Sequence, residues 1–265
     1  MRLTVTEKEN ELLLARALEL CRRAENGEIV YTDFLTPGQQ KRLIKCMPHA
    51  AVISQLFGGY QNAERKRLFF LPPYFEGLDE ETRGTLLAES YAESVLPLRV
   101  KGSGYHKLTH RDFLGAVLSL GIERDAIGDL SVVNEHEAIL FCDALMARFL
   151  MENLSRVAGD AVRVCTCVLP PDFDGGRRFE SVTDTVASPR ADAVVGALCN
   201  LSRENAKALF LAARVEIDEE VVEKYDKEVV AGAILVVRGY GKFIIRSLSD
   251  KTKKGRFRLL ADRYV

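Results

Sequence analysis

The residue types best able to do covalent or metal chemistry are few in this 265-residue chain, and their spacing does not suit it. The six cysteines, Cys21, Cys46, Cys142, Cys165, Cys167 and Cys199, contain no CxxC pair with metal-ligand spacing, and the four histidines, His49, His106, His110 and His136, lack such spacing too. Scattered thiols in a chain of this size read as reduced core cysteines. Cys165 and Cys167 flank Thr166 in a strand-like stretch and so point to one face, where a redox pair is the second reading. His110-Arg111-Asp112 spells a kinase catalytic triplet, but no glycine-rich phosphate loop or Asp-Phe-Gly accompanies it. The triplet therefore reads as the capped start of a helix, with Arg111 and Arg124 either in salt bridges around its end or on a phosphate. No catalytic residue, no metal site, no cofactor and no small-molecule substrate are expected.

What the chain does concentrate is positive charge. The net charge of −1 hides an asymmetry: residues 188–265 carry 15 Lys+Arg against 11 Asp+Glu, and within 238–263 nine cations (Arg238, Lys242, Arg246, Lys251, Lys253, Lys254, Arg256, Arg258, Arg263) face only Asp250 and Asp262. A local surplus of that size suits a phosphate-bearing partner. A second concentration lies in FGGYQNAERKR, where Phe57, a glycine pair and Tyr60 precede Arg65, Lys66 and Arg67. Aromatic stacking beside positive charge suits unpaired bases. The alternative is a glycine turn with Phe57 in the core and an exposed charge cluster.

The elements that must position these charges can be read from periodicity and punctuation. The length fits two or three modules of about 60 to 150 residues, and 47% hydrophobic residues favour packed structure over disorder. No run approaches the ~20 apolar residues of a membrane span, and MRLTVTEKEN has charges where a secretory signal is apolar, so a cytoplasmic protein without a membrane partner is expected. Residues 6–26 form a helix striped by Leu13, Ala17, Leu20 and Ala24 and stopped at Asn26-Gly27. Thr36-Pro37 caps a second helix, and residues 51–57 and 67–71 read as strands, which makes residues 1–83 a mixed α/β module. From residue 84 to 170 the order is strand (85–100), helix (110–120), strand (128–133), a strand with a helix (136–154) and strand (161–168). That order is the ferredoxin-like plan of many RNA-binding sheets, although stacking aromatics on its central strands are not evident. LPPDFDGGRR, residues 169–178, marks a boundary.

Residues 180–265 form the third module. Ser188-Pro189 starts a helix with Ala191, Val194, Val195 and Leu198 on one face, and Ser202 caps another with Ala206, Leu209, Phe210 and Ala213 on one face. At 100° per residue, Arg203, Lys207 and Arg214 fall together about 90° from that second stripe. Alternation at Val215 and Ile217, at Ile234 to Val237 and at Phe243 and Ile245 then predicts a small antiparallel sheet, with Lys251 to Arg258 as a hairpin presenting Lys251, Lys253 and Lys254. The fold class is α+β.

PRADAVVGALCNLSRENAKALFLAARVEID, within residues 188–240, resembles the RNA-binding domain named after small-subunit ribosomal protein S-four, the alpha-L type. Arg190, Asp192, Ser202, Arg203, Ala206, Val215 and Ile217 match its pattern. The resemblance implies RNA contacts by Arg190, Arg203, Lys207 and Arg214; Lys242, Lys251, Lys253, Lys254 and Arg256 join them on charge, and Tyr60, Arg65, Lys66 and Arg67 in the N-terminal module. Three glycine-associated positions depart from the pattern: Ala213 after the second helix, Asp218-Glu219 in the Asn-Gly turn and Gly232-Ala233 before the last strand. Either the turns are altered or residues with side chains occupy positive φ at about 1 kcal/mol each. The acidic run from Glu216 to Glu228 repels phosphate.

YTDFLTPGQQ, LFGGYQNAERKR, HRDFLGAVLSLGIERDAIGDL, VVRGYGKF and DKTKKGRFRL together resemble the bacterial YlmH family of RNA-binding proteins across nearly the whole chain. That resemblance implies a non-catalytic monomer that contacts rRNA and tRNA on the large ribosomal subunit in quality control of stalled translation. One alternative is an RNA-modifying enzyme of the pseudouridine synthase kind, which needs a further catalytic domain. The other is a protein scaffold linked to cell division, which leaves the basic surfaces unexplained.

Overall fold

Good helix formers dominate residues 7–25, and the helix they belong to is long. In the computed structural model, which describes residues 5–47, 52–176, 179–251 and 255–265, α1 spans Val5–Glu25, followed by β1 (Val30–Tyr31), α2 (Pro37–Cys46), β2 (Ile53–Phe57) and β3 (Arg67–Leu71). Ala17 and Ala24 of the α1 stripe are fully buried against Leu43, Leu68 and Phe70. Thr36 caps α2 through a reciprocal box: its hydroxyl accepts from Gln39 N while the Gln39 side chain accepts from Thr36 N. The three strands form a sheet in the order β1-β3-β2.

Residues 85–94, expected to open a strand over 85–100, instead belong to helix α3 (Glu80–Ser94), and the strand begins at Leu96. Asp79 caps this helix by accepting from Thr82 N at 2.9 Å, and Leu86, Leu87 and Tyr91 pack against Phe69, Leu71 and Phe75. That 1-2-6 spacing suits a helix face and not a strand face, on which alternate residues share a side. There follow β4 (Leu96–Gly102), α4 (His110–Leu118), β5 (Ile127–Asn134), β6 (Glu137–Cys142), α5 (Ala144–Asn153), β7 (Arg156–Val157) and β8 (Asp160–Thr166). Their antiparallel sheet, in the order β5-β6-β4-β8-β7, is the ferredoxin-like arrangement with β7 added at an edge. Phe113 and Val117 of α4 and Ala147 and Leu150 of α5 bury one face with Leu98, Val100, Leu140 and Cys142. On the other face Ile139 and Phe141 pack with Phe34 and Val95.

Both sheets belong to one compact unit, residues 1–176; residues 177–265 are a second. The second unit holds β9 (Phe179–Val186), α6 (Ala191–Cys199), α7 (Arg203–Leu211), β10 (Val215–Ile217), β11 (Glu220–Val221), β12 (Ile234–Val237), β13 (Gly241–Lys251) and β14 (Phe257–Tyr264). The sheet runs β11-β10-β12-β13-β14-β9, and the expected hairpin pairs Lys251 with Phe257. Val194, Val195, Phe210, Val215, Phe243 and Leu259 fill the core between sheet and helices.

Two of the three departures leave their turns unaltered. Ala213 sits at φ +52°, and Asp218 and Glu219, at φ +51° and +69°, form a two-residue loop between β10 and β11 in the left-handed geometry that Asn-Gly usually supplies. Residues with side chains therefore carry the strain. Ala213→Gly is expected to raise stability by about 0.5 kcal/mol, the cost of a left-handed alanine less the entropy that glycine adds to the unfolded chain. Ala212→Gly, at φ −87°, lowers stability. If thermal melts rank the two variants the other way, the turn is not strained.

Candidate nucleic-acid interface

The polar centre of the second unit is one carboxylate. Asp192 lies in the first turn of α6 and is completely buried. Its Oδ1 accepts from Arg190 Nε at 3.2 Å, and its Oδ2 from Arg203 Nε at 3.0 Å and Arg190 Nη2 at 3.3 Å. Burial alone pushes the Asp192 carboxyl up, but the hydrogen bonds from Arg190 and Arg203 outweigh it and hold the group below the usual carboxylate range. The ionised carboxylate fixes two guanidinium groups whose side chains remain 36% and 57% exposed, leaving their other N–H groups for a ligand.

The acidic stretch contributes its backbone to the same place. The carbonyls of Tyr225 and Lys227 accept from Asp192 N and Ala191 N, satisfying the open N-terminus of α6. This seats the Tyr225 ring 4.8 Å from Lys207 Nζ and 5.8 Å from Arg190 Cζ. Arg190, Arg203 and Lys207, expected from the sequence, are thus gathered around Asp192 and Tyr225. Tyr225 was not expected: it lies in a stretch of mixed charge, Glu223 to Glu228, and the signal that places it is a backbone cap that crosses more than thirty residues.

Arg203 also lines an open cleft of about 310 Å³ together with Asp184, Thr185, Asp192, Asn200 and Arg256. Arg256 Nε donates to Thr185 Oγ1 at 3.0 Å, so this tail residue shares a wall with the cluster. The remaining C-terminal candidates do not converge on it. Arg214 lies beyond the end of α7, past the left-handed Ala213, so the helical angle that grouped it with Lys207 does not apply; its guanidinium donates to the Arg238 carbonyl at 2.8 Å. Lys242 alternates with the buried Phe243 on the sheet face away from the helices, its Nζ 4.5 Å from the Tyr264 ring. Lys251 ends β13 with its side chain outside the described residues, as are Lys253 and Lys254 altogether.

The FGGYQNAERKR segment is built into the first unit. Phe57 stacks on Tyr91 with ring centroids 4.0 Å apart, and a Cβ on Gly59 would sit 2.4 Å from the Phe141 ring, so the glycine lets the chain cross that ring. The buried Asp129 accepts from Tyr60 Oη at 2.7 Å and from the backbone N–H groups of Glu64 and Arg65. Arg65 Nη2 donates to the carbonyls of Phe34 and Arg124. Arg67, expected at the RNA, is only 3% exposed, ion-paired to Asp143 at 2.9 Å and over the rings of Phe34 and Tyr31. It is an interior residue. Lys66 is partly exposed and bridges to Leu35 through its backbone. Arg124 donates to the carbonyls of Ile127 and Gly128, and burial, then Arg65, lowers its pKa to about 10.

Among the described residues no group of three His, Cys, Asp or Glu side chains is placed to hold a metal ion, and no helix is long and apolar enough to cross a membrane. The family model described as "YlmH, N-terminal" matches residues 9–75, and the one described as "Putative RNA-binding domain in YlmH" matches residues 97–169, together more than half of the chain. The chain is similar to "Ribosome-associated protein quality control protein P2" of Bacillus subtilis (strain 168), at 29% identity over 257 residues, covering 97% of this chain and 96% of that protein. Among solved structures it is similar to "Cell division protein ylmH from Streptococcus pneumoniae", with a TM-score of 0.48 at 17% identity, covering 63% of this chain and 94% of that one.

Proposed function

Because the chain belongs to the YlmH family, we propose that it is a non-catalytic, ribosome-associated RNA-binding protein acting in quality control of stalled translation. In this reading it works in the cytoplasm as a monomer, contacting rRNA and tRNA on the large ribosomal subunit. The observation that carries the reading is the buried Asp192 holding Arg190 and Arg203 beside Lys207. A fixed pair of guanidinium groups with free donors meets phosphate oxygens without first losing side-chain entropy. The name of the Bacillus relative supports the ribosomal setting.

One phosphate-binding cluster gives affinity but little sequence information, so a second RNA contact is required to define a single ribosomal site. The family model over residues 97–169 supports placing it in the ferredoxin-like sheet. Joining two contacts in one chain raises the effective concentration of the second once the first has formed.

The test is gradient fractionation of cells expressing the full chain, with and without induced stalling. The protein is expected to sediment with large subunits that retain peptidyl-tRNA, and to leave them as salt rises. With about four phosphate contacts, affinity falls about 50-fold between roughly 50 and 200 mM salt. Protein that stays in the ribosome-free fractions during stalling, or an association indifferent to salt, sinks the proposal.

A further inference from the structure

The segment between β4 and α4, Ser103 to Thr109, is held firmly yet holds an aromatic ring in solvent. Tyr105 is 89% exposed and has no ring contact or hydrogen bond among the described residues. The chain on either side of the ring is pinned to the sheet. Gly102 N donates to the His136 carbonyl at 2.8 Å, Leu108 N donates to the Glu135 carbonyl at 2.7 Å, and Leu108 is buried in the core of the ferredoxin-like sheet. His136 Nδ1 donates to the His106 carbonyl at 2.9 Å. The buried Asp160 accepts from the Ser103 hydroxyl, a hydrogen bond that also keeps its carboxyl below the usual range. A Cβ on Gly102 would lie 2.9 Å from Asp160 Oδ2, so the close seat of the loop on Asp160 requires glycine there.

Two cations lie on β4, the strand that leads into the loop, and on its neighbour β8. Lys101 pairs with Arg163 across β4 and β8, both are exposed on the sheet face away from the helices, and neither has an ion-pair partner among the described residues. Glu135 pairs with Lys107 at 2.6 Å, and Glu137, opposite Lys101 on β6, pairs with Arg99 at 3.1 Å. An open aromatic face on a pinned loop, with cations that have no ion pair on the strands beside it, is what an unpaired nucleotide needs, a ring for its base and positive charge for its phosphates.

We propose that Tyr105 is a stacking platform for one unpaired RNA base, with Lys101 and Arg163 taking the phosphates beside it. This rests on the reading of residues 97–169 as RNA-binding and assigns a site within them. It also accounts for a ferredoxin-like sheet without aromatics on an open central face: Phe141 of β6 is covered by Tyr60 and Phe173, and the base meets a ring on the loop instead.

The chain contains no tryptophan, so Tyr105→Trp places a single fluorophore at the site. In the full chain its emission is expected to be quenched by a uridine oligomer of about 12 nucleotides and left unchanged by a blunt RNA duplex of equal length. Tyr105→Ala lowers affinity for the oligomer about 10- to 100-fold and leaves duplex affinity within about twofold, while Tyr105→Phe, which keeps the ring, binds the oligomer within about threefold of wild type. Lys101→Ala with Arg163→Ala lowers the slope of log affinity against log salt by about 1.4. The inference is overturned if wild type binds the oligomer and Tyr105→Ala binds it equally well, or if Tyr105→Phe loses as much as alanine does. Should wild type bind neither RNA, the RNA-binding reading itself fails and the inference falls with it.

Discussion

Arg203→Glu combined with Lys207→Glu is expected to weaken binding of the full chain to structured RNA by at least about 100-fold at roughly 100 mM salt. Two cations become two anions at the centre of the cluster, and the loss of two phosphate contacts alone lowers the salt slope by about 1.4 to 1.8. Repulsion from the introduced carboxylates adds to that loss at short range. The double variant disturbs more than charge, because Arg203 also holds the buried Asp192. Lys207→Glu alone leaves both arginines on Asp192, and Arg203→Lys keeps a cation there while giving up the planar fork. The single lysine variant is therefore expected to melt as wild type does and still bind about tenfold more weakly, since a reversed charge costs on the order of 1 kcal/mol or more at a contact. Filter binding across a salt series, with thermal melts of each variant, separates the two effects. Wild-type affinity in the double variant would falsify the assignment of this cluster to RNA.

The cluster was partly legible in the sequence, and the division follows how far apart its members are. Arg190, Asp192 and Arg203 lie within fourteen residues, on two helices whose start signals, Ser188-Pro189 and Ser202, are local. Tyr225 arrives through backbone hydrogen bonds from a turn between strands, and no local pattern announces that. Arg214 failed for the opposite reason: an angular argument assumes that the helix continues, and α7 ends at Leu211 before a left-handed alanine. Strand β9 was missed because FESVTDTV directs only Val182 and Val186 into the core, so its alternation is weak and its pairing with β14 supplies most of its order. By contrast the order of strands and helices from Leu96 to Thr166 was readable, since each apolar run there has its own cap or turn. Tyr105 drew no notice, because a lone tyrosine among glycine and serine looks like any loop until its exposure is known.

The same limit explains Arg67 and leads to an expected result of the largest size for stability. Arg65, Lys66 and Arg67 are indistinguishable as a basic run, yet β3 begins at Arg67 and turns that side chain into the first unit. There its guanidinium meets Asp143 at 2.9 Å, with the Phe34 ring 4.5 Å away and the Tyr31 ring 4.8 Å away. Arg67→Ala removes one partner of a largely buried ion pair, two cation–π contacts and the volume of a long side chain, and is expected to destabilise the unit by about 3 kcal/mol. Asp143 limits the loss, since it is 30% exposed and also accepts from Met146 N as the cap of α5. For a unit of this length the melting temperature falls by about 6 to 12 °C. Arg67→Lys recovers part of the stability, because an ammonium reaches the carboxylate but cannot lie flat against both rings. Lys66→Ala changes stability by less than about 0.5 kcal/mol, as for surface substitutions generally. RNA affinity separates an interior role from a ligand-binding one: Arg67→Lys, measured well below its melting temperature, binds as wild type if the residue only supports the fold. An Arg67→Ala protein that melts with wild type, or a folded Arg67→Lys protein that has lost RNA, would return Arg67 to the interface.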